Sequence, residues 1–388
     1  MEYQILKPPP RRHRTAWIIA VVALAAAVGA GAYVLGRGDR TSSAHSSTTV
    51  PPSTSPSATA LTVVSTVPAD GAKDVPSDQV LTVTLSASVA RATGLPQLTP
   101  PMPGTWTRSG AHALTFAATA PFVPTTTETM TIPAGADGLR SASGAVLAAP
   151  VTVTFGVAQA STERLQQLLA GLNYLPVSFT PTGPATAPAE AATAQAGTFA
   201  WRWPGVPPEF SSVWTEGAEN AITKGALMSF QRQHGLQVNG IAGHLVWMAL
   251  LADTATRKVT PEPYVNVLVS KQVPQTLTLY DNGAPVLSGV AVNTGAPGAD
   301  TADGTFPVFE HVPSSRMQGT NPDGSTYDDP AVPWASYFNG GDALHGFVRA
   351  SYGTPQSNGC VEMPIAVAAQ VWPLTPVGTP VTVFGPAS

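Results

Sequence analysis

The spacing of apolar residues changes period twice along this chain, which rules out one continuous fold. Between Val80 and Phe155 apolar residues alternate with polar ones, as in Val80-Leu-Thr-Val-Thr-Leu85, Ala113-Leu-Thr-Phe116, Thr127-Glu-Thr-Met-Thr-Ile132 and Val151-Thr-Val-Thr-Phe155. That is the period of strands with one buried face. Turn signals separate the runs at Ala69-Asp70-Gly71, Arg108-Ser109-Gly110 and Ala136-Asp137-Gly138. From Ser161 the period becomes helical: Leu165, Leu168, Leu169 and Leu172 fall on one face, with Ser161 and Thr162 able to cap the start. Further helical stretches contain Ala221, Ile222, Ala226, Leu227 and Phe230, then Leu245, Trp247, Leu250 and Leu251. After Thr260-Pro-Glu-Pro263 the β pattern returns in Val265–Val269, Gln275–Tyr280, Pro285–Leu287, Val290–Val292 and Val381–Phe384, with Asp281-Asn282-Gly283 as a hairpin turn. The polar, Gly/Pro-rich stretch from Pro313 to Trp334 reads as a long functional loop.

The N-terminus carries a different signal. Ala16 to Leu35 is an uncharged apolar run of the length that spans a bilayer as a helix, preceded by Lys7, Arg11, Arg12 and Arg14. Basic residues keep their flank cytoplasmic, so the rest of the chain is expected outside. A cleaved signal peptide is the alternative, since Ala25-Ala26-Ala27 and Ala30-Gly31-Ala32 are small enough for a peptidase. The expected organisation is a basic cytoplasmic tail (1–15), a transmembrane helix (16–35), a Ser/Thr/Pro-rich linker (36–60), a β-sandwich (61–157), a small three-helix domain (161–253) and a mostly-β C-terminal domain (262–386). The net charge of -4 gives no basic field for nucleic acid. With a single cysteine, Cys360, no intrachain disulfide can form, so the exported domains must rest on their cores. His112 and His311 are isolated, Asp323–Asp329 lacks the order of a calcium loop, and neither a metal nor another cofactor is expected.

Cys360 sits in Ser357-Asn358-Gly359-Cys360, and His345 precedes it in Leu344-His345-Gly346. A thiol near its reference pKa of about 8.5 is barely ionised at neutrality, and an imidazole that takes its proton turns it into a nucleophile. Two adjacent strands can bring His345 and Cys360 to one sheet edge. Gly359 permits a tight turn, and the backbone N–H groups of Gly359 and Cys360 can form an oxyanion hole. No Gly-x-Ser-x-Gly, His-Glu-x-x-His, Cys-x-x-Cys or phosphate loop offers a competing chemistry.

Several segments resemble known families. Val67-Pro-Ala-Asp-Gly-Ala72 followed by Val75-Pro76 resembles bacterial Ig-like spacer domains. Leu165-Gln166, Ala226 with Phe230-Gln231 and Gly235-Leu236, and Asn239-Gly240 with Gly243 and Trp247 resemble the peptidoglycan-binding three-helix domain. Thr278–Gly283, Val292-Asn-Thr-Gly295, Thr301-x-Asp-Gly-Thr-Phe306, Val332-Pro-Trp334, Ala343–Gly346 and Ser357–Cys360 together resemble the catalytic domain of bacterial L,D-transpeptidases, the YkuD fold.

That resemblance implies Cys360 as acyl-accepting nucleophile, His345 as general base and acid, and the Gly346 carbonyl orienting the imidazole. It also implies Ser357, Asn358, Gly359 and Cys360 as the oxyanion support; Trp334, Tyr337, Phe338 and Met317 are expected to line the substrate groove. The implied reaction is 3→3 cross-linking of peptidoglycan stem peptides with release of D-alanine, in a membrane-anchored enzyme facing the cell wall. Carbapenem-type β-lactams are implied as covalent inhibitors. Asn358 and Glu362 stand where the family usually has histidine and an Arg or Asn. Hydrolysis by an L,D-carboxypeptidase and a catalytically inactive wall-binding protein are the alternatives.

Overall fold

The computed structural model describes residues 60–90 and 94–385. The expected tail, transmembrane helix and linker lie outside these residues, except for Ala60. Among the described residues no helix is long and apolar enough to cross a membrane.

Among the described residues the first region has seven strands: β1 (Val63–Val67), β2 (Leu81–Leu85), β3 (Gln97–Thr99), β4 (Gly104–Ser109), β5 (Ala113–Ala118), β6 (Thr127–Ile132) and β7 (Val151–Gly156). They form a four-stranded sheet, β1-β2-β5-β4, and a three-stranded sheet, β3-β6-β7. Alternation places Leu81, Val83 and Leu85 of β2 inside, opposite Met130, Ile132, Val153 and Phe155 of the other sheet. The same period of two carries Glu128 inward beside Met130.

The second region differs from the bare three-helix unit expected. It contains α1 (Thr162–Gly171), β8 (Val177–Pro181), β9 (Gly197–Trp201), the short α2 (Pro208–Ser211), α3 (Ala221–Gln233) and α4 (His244–Thr256). The Ala/Pro-rich stretch from 180 to 210 supplies β9 and the start of α2, and β9 pairs antiparallel with β8. Ser161 and Asn220 cap α1 and α3 by accepting from backbone N–H groups. Phe230 and Trp247 are fully buried between the helices.

Among the described residues the third region has nine strands and one α-helix: β10 (Val265–Ser270), β11 (Thr276–Asp281), β12 (Ala284–Ala291), β13 (Gly304–Pro307), β14 (Glu310–Thr320), β15 (Thr326–Asn339), β16 (Asp342–Gly346), β17 (Val361–Met363), α5 (Ile365–Val371) and β18 (Pro380–Phe384). One sheet runs β12-β11-β10-β18-β13 and the other β14-β15-β16-β17. Val267, Val269, Val381 and Val383 from the first meet Phe338, Leu344, Val361 and Met363 from the second, with Ala368 and Val371 of α5 completing the core.

The apolar run in β10 is explained by burial on both faces. Val267 and Val269 enter this core, whereas Leu268, with Tyr264 just before the strand, joins the core of the helical region. The two regions also touch through glycine. A Cβ on Gly225 of α3 would lie 2.5 Å from the Gly378 carbonyl oxygen.

The segment expected as a loop from 313 to 334 is most of the β14–β15 hairpin, paired from Glu310↔Tyr337 to Thr320↔Thr326. A two-stranded ribbon buries little, so its residues carry no apolar alternation. Its turn is chemically legible: the Asp323 carboxylate accepts from the Ser325 N–H, and Gly324 takes φ +86°.

Candidate active site

β16 and β17 run side by side and parallel, in the register Leu344↔Val361 and His345↔Glu362. Cys360 therefore ends the crossover loop one residue before β17, at the edge that carries His345. His345 is 3% exposed. Its Nδ1 lies 3.2 Å from the Gly346 carbonyl oxygen. A carbonyl only accepts, so Nδ1 donates there and Nε2 is the proton-accepting nitrogen of the neutral ring. Burial is the main cause that holds the His345 pKa below its ordinary value; the Gly346 carbonyl and the Glu362 charge oppose it.

The Cys360 thiol is half-buried and donates to the Gly341 carbonyl at 3.5 Å. Burial pushes it up to about 12; the Ala343 N–H pulls it down, and the Asp342 and Glu362 carboxylates add to the rise. Burial thus favours the neutral form of both the thiol and the imidazole. A thiol held in its neutral form must lose its proton before or during any attack it makes.

The Ser357–Cys360 loop is held on several sides. Ser357 donates through Oγ to the Cys360 carbonyl at 2.5 Å, and Thr301 donates through Oγ1 to the Gly359 carbonyl at 2.7 Å. Gly359 takes φ +109°, a conformation that favours glycine, and a Cβ there would lie 2.3 Å from Asp342 Oδ1. Asn293 accepts through Oδ1 from the Gly353 N–H, and its backbone exchanges two hydrogen bonds with Glu362. These contacts give the Asn293-Thr-Gly295 motif its meaning as a brace for the crossover loop.

The two unusual positions have defined partners. Asn358 donates through Nδ2 to Asn321 Oδ1 at 2.7 Å, joining the loop to the tip of the β14–β15 hairpin. Glu362 receives two bonds from the Arg349 guanidinium, both 2.8 Å, so its buried charge is compensated. Arg349 also stacks over Phe347.

The residues expected to line a groove separate. Phe338 is 3% exposed and belongs to the core. Trp334 packs against Trp372, whose other neighbour is the His311 ring. Tyr337 pairs its hydroxyl with Ser315, and Met317 lies on the hairpin opposite Asp329. Sequence reasoning missed Asn321, Asp342 and Arg349 as neighbours of the site. It had included Thr301 only within a motif. The Pro-Asp-Gly turn at 322–324 is the one local signal that marks the hairpin tip; the others are contacts between distant segments. Among the described residues no group of three or more His, Cys, Asp or Glu could hold a metal ion.

Three family models match the chain. The L,D-transpeptidase catalytic domain (YkuD) matches residues 264–383, the bacterial Ig-like domain (Big_5) residues 57–157, and a peptidoglycan-binding domain (PG_binding_1) residues 215–250. No curated protein matches the chain.

Solved structures of L,D-transpeptidases are similar. One from Mycobacterium smegmatis is 13% identical over 84% of this chain and 100% of its own, with a TM-score of 0.28. L,D-transpeptidase 3 from Mycobacterium tuberculosis, in complex with a faropenem-derived adduct, is 13% identical over 83% of this chain and 98% of its own, with a TM-score of 0.29. The catalytic domain of the E. faecium enzyme, acylated by ertapenem, is 26% identical over 32% of this chain and 98% of its own, with a TM-score of 0.28.

Proposed function

We propose that this chain is a cysteine-dependent peptidoglycan L,D-transpeptidase that forms 3→3 cross-links. The observation that carries the reading is the adjacency of β16 and β17, with Cys360 at the edge of a buried imidazole whose tautomer is set by Gly346. His345 Nε2 takes the thiol proton as sulfur adds to the carbonyl of the third residue of a donor stem. The Gly359 and Cys360 N–H groups face the developing oxyanion. The C–N bond then breaks, and D-alanine leaves with the proton returned by His345. A side-chain amine of a neighbouring stem attacks the thioester, gives its proton to His345 and releases the thiol. Residues 16–35 anchor the chain in the cell membrane, with the catalytic region facing the wall.

Arg349 compensates Glu362, and Asn358 is engaged with the hairpin; both features favour a working site over an inactive wall-binding protein. The test is mass spectrometry of residues 60–388 after incubation with a carbapenem. One covalent adduct is expected, formed as the thiol opens the lactam C–N bond, and absent in Cys360→Ala. Intact protein without an adduct overturns the reading. Incubation with a disaccharide-tetrapeptide should give a cross-linked dimer; tripeptide alone would assign the chain to hydrolysis.

A further inference from the structure

The peptide between Gly359 and Cys360 carries the N–H that the acyl-transfer reading assigns to the oxyanion. Glycine at φ +109° has few barriers of its own against rotating that peptide, so something outside the loop must fix it. The Thr301 side chain is the outside contact on its carbonyl. Thr301 is 1% exposed, and its Oγ1 donates to the Gly359 carbonyl oxygen at 2.7 Å. A hydroxyl has one proton, so the second contact of Oγ1, 2.9 Å from the Gly295 nitrogen, is an acceptance. The direction of both bonds is thereby settled.

Thr301 is itself held. The Lys271 ammonium, on a side chain only 2% exposed, donates to the Thr301 carbonyl at 3.4 Å and pairs with Asp303 at 2.8 Å. In a trans peptide the C=O and N–H point to opposite sides. A Gly359 carbonyl tied to Thr301 therefore turns the Cys360 N–H away from Thr301. Ser357 fixes the next carbonyl, so both peptide planes flanking the sulfur are set.

We propose that Thr301 is a positioning residue for the oxyanion hole: its hydroxyl fixes the Gly359–Cys360 peptide so that the Cys360 N–H meets the substrate oxygen. The inference rests on the acyl-transfer reading of Cys360 and adds to it a residue that touches neither substrate nor sulfur.

The test compares two reactions of one thiol. Acylation by a carbapenem develops an oxyanion; alkylation by iodoacetamide displaces iodide at a saturated carbon and develops none. In Thr301→Val, acylation is expected to fall about 10²-fold, the effect of losing one oxyanion donor, while alkylation at the same pH is unchanged. Thr301→Ser, which keeps the hydroxyl, recovers acylation. Thr301→Ala is read in the same way and avoids strain from the second methyl group. Equal losses in both reactions, or acylation at the wild-type rate without the hydroxyl, overturn the inference while leaving the proposed function standing. A wild-type chain that takes no acyl group at Cys360 overturns both.

Discussion

The surroundings of the Cys360 thiol set the chemistry at the smallest scale. Asp342 and Glu362 oppose its ionisation, and burial opposes it more strongly. Alkylation of Cys360 by iodoacetamide should accelerate with pH well past the ordinary cysteine range of about 8.5, toward about 12. A midpoint below 8 would mean a preformed thiolate. The acidic limb of carbapenem acylation reports His345, which must be neutral to accept a proton. Because its pKa is depressed, the rate should hold below pH 6.5 and fall only as the ring protonates.

A second titration lies far from the site. Glu128 is 2% exposed, and burial raises its pKa from 4.5 to about 7, with a Thr126 hydrogen bond opposing. Its folded pKa is raised, so stability is full below pH 4.5 and declines as pH rises through about 7. Glu128→Gln should therefore stabilise the chain at pH 8 by about 1–3 kcal/mol and leave it unchanged at pH 4, read by urea unfolding. Cys360 and His345 are legible in sequence as candidates because their types and local motifs are distinctive. Thr301 and Arg349 are not, since each acts through contacts with another stretch of chain.

At the scale of elements, the β14–β15 hairpin is the part the sequence conceals. Its distal part, residues 315–329, is mostly polar with no buried residue, which removes the alternation that exposes strands elsewhere. The Asn321–Asn358 hydrogen bond ties its tip to the loop before Cys360. Asn358→Ala should speed amide hydrogen exchange at 321–325 without changing the thermal midpoint; unchanged exchange would show that the bond contributes nothing to hairpin order. The β16–β17 pair makes a different demand. Arg349→Ala leaves the Glu362 carboxylate buried without its two charged hydrogen bonds, at a cost of about 1–3 kcal/mol. Arg349→Lys should recover only part of this, because an ammonium cannot reproduce the forked geometry.

Across the whole molecule, β10 joins two cores that the sequence reads as separate domains. The period changes at 161 and 264 mark where chain segments begin, but not that Tyr264, Leu268, Tyr280 and Phe384 pack with the helices. A fragment of residues 262–386 alone would expose those side chains and should melt lower, or aggregate, relative to residues 161–386. Equal thermal midpoints would contradict the shared core. Gly225→Ala drives a methyl group into the Gly378 carbonyl and should cost about 1–3 kcal/mol.

That glycine contact has a geometric consequence. Backbone meets backbone where α3 meets the turn before β18, with only the short side chains of Pro307 and Ser229 beside the contact to absorb sliding. A wall strand gripped by the helical region would reach Cys360 at a constant offset, as work clamped in a jig meets the tool.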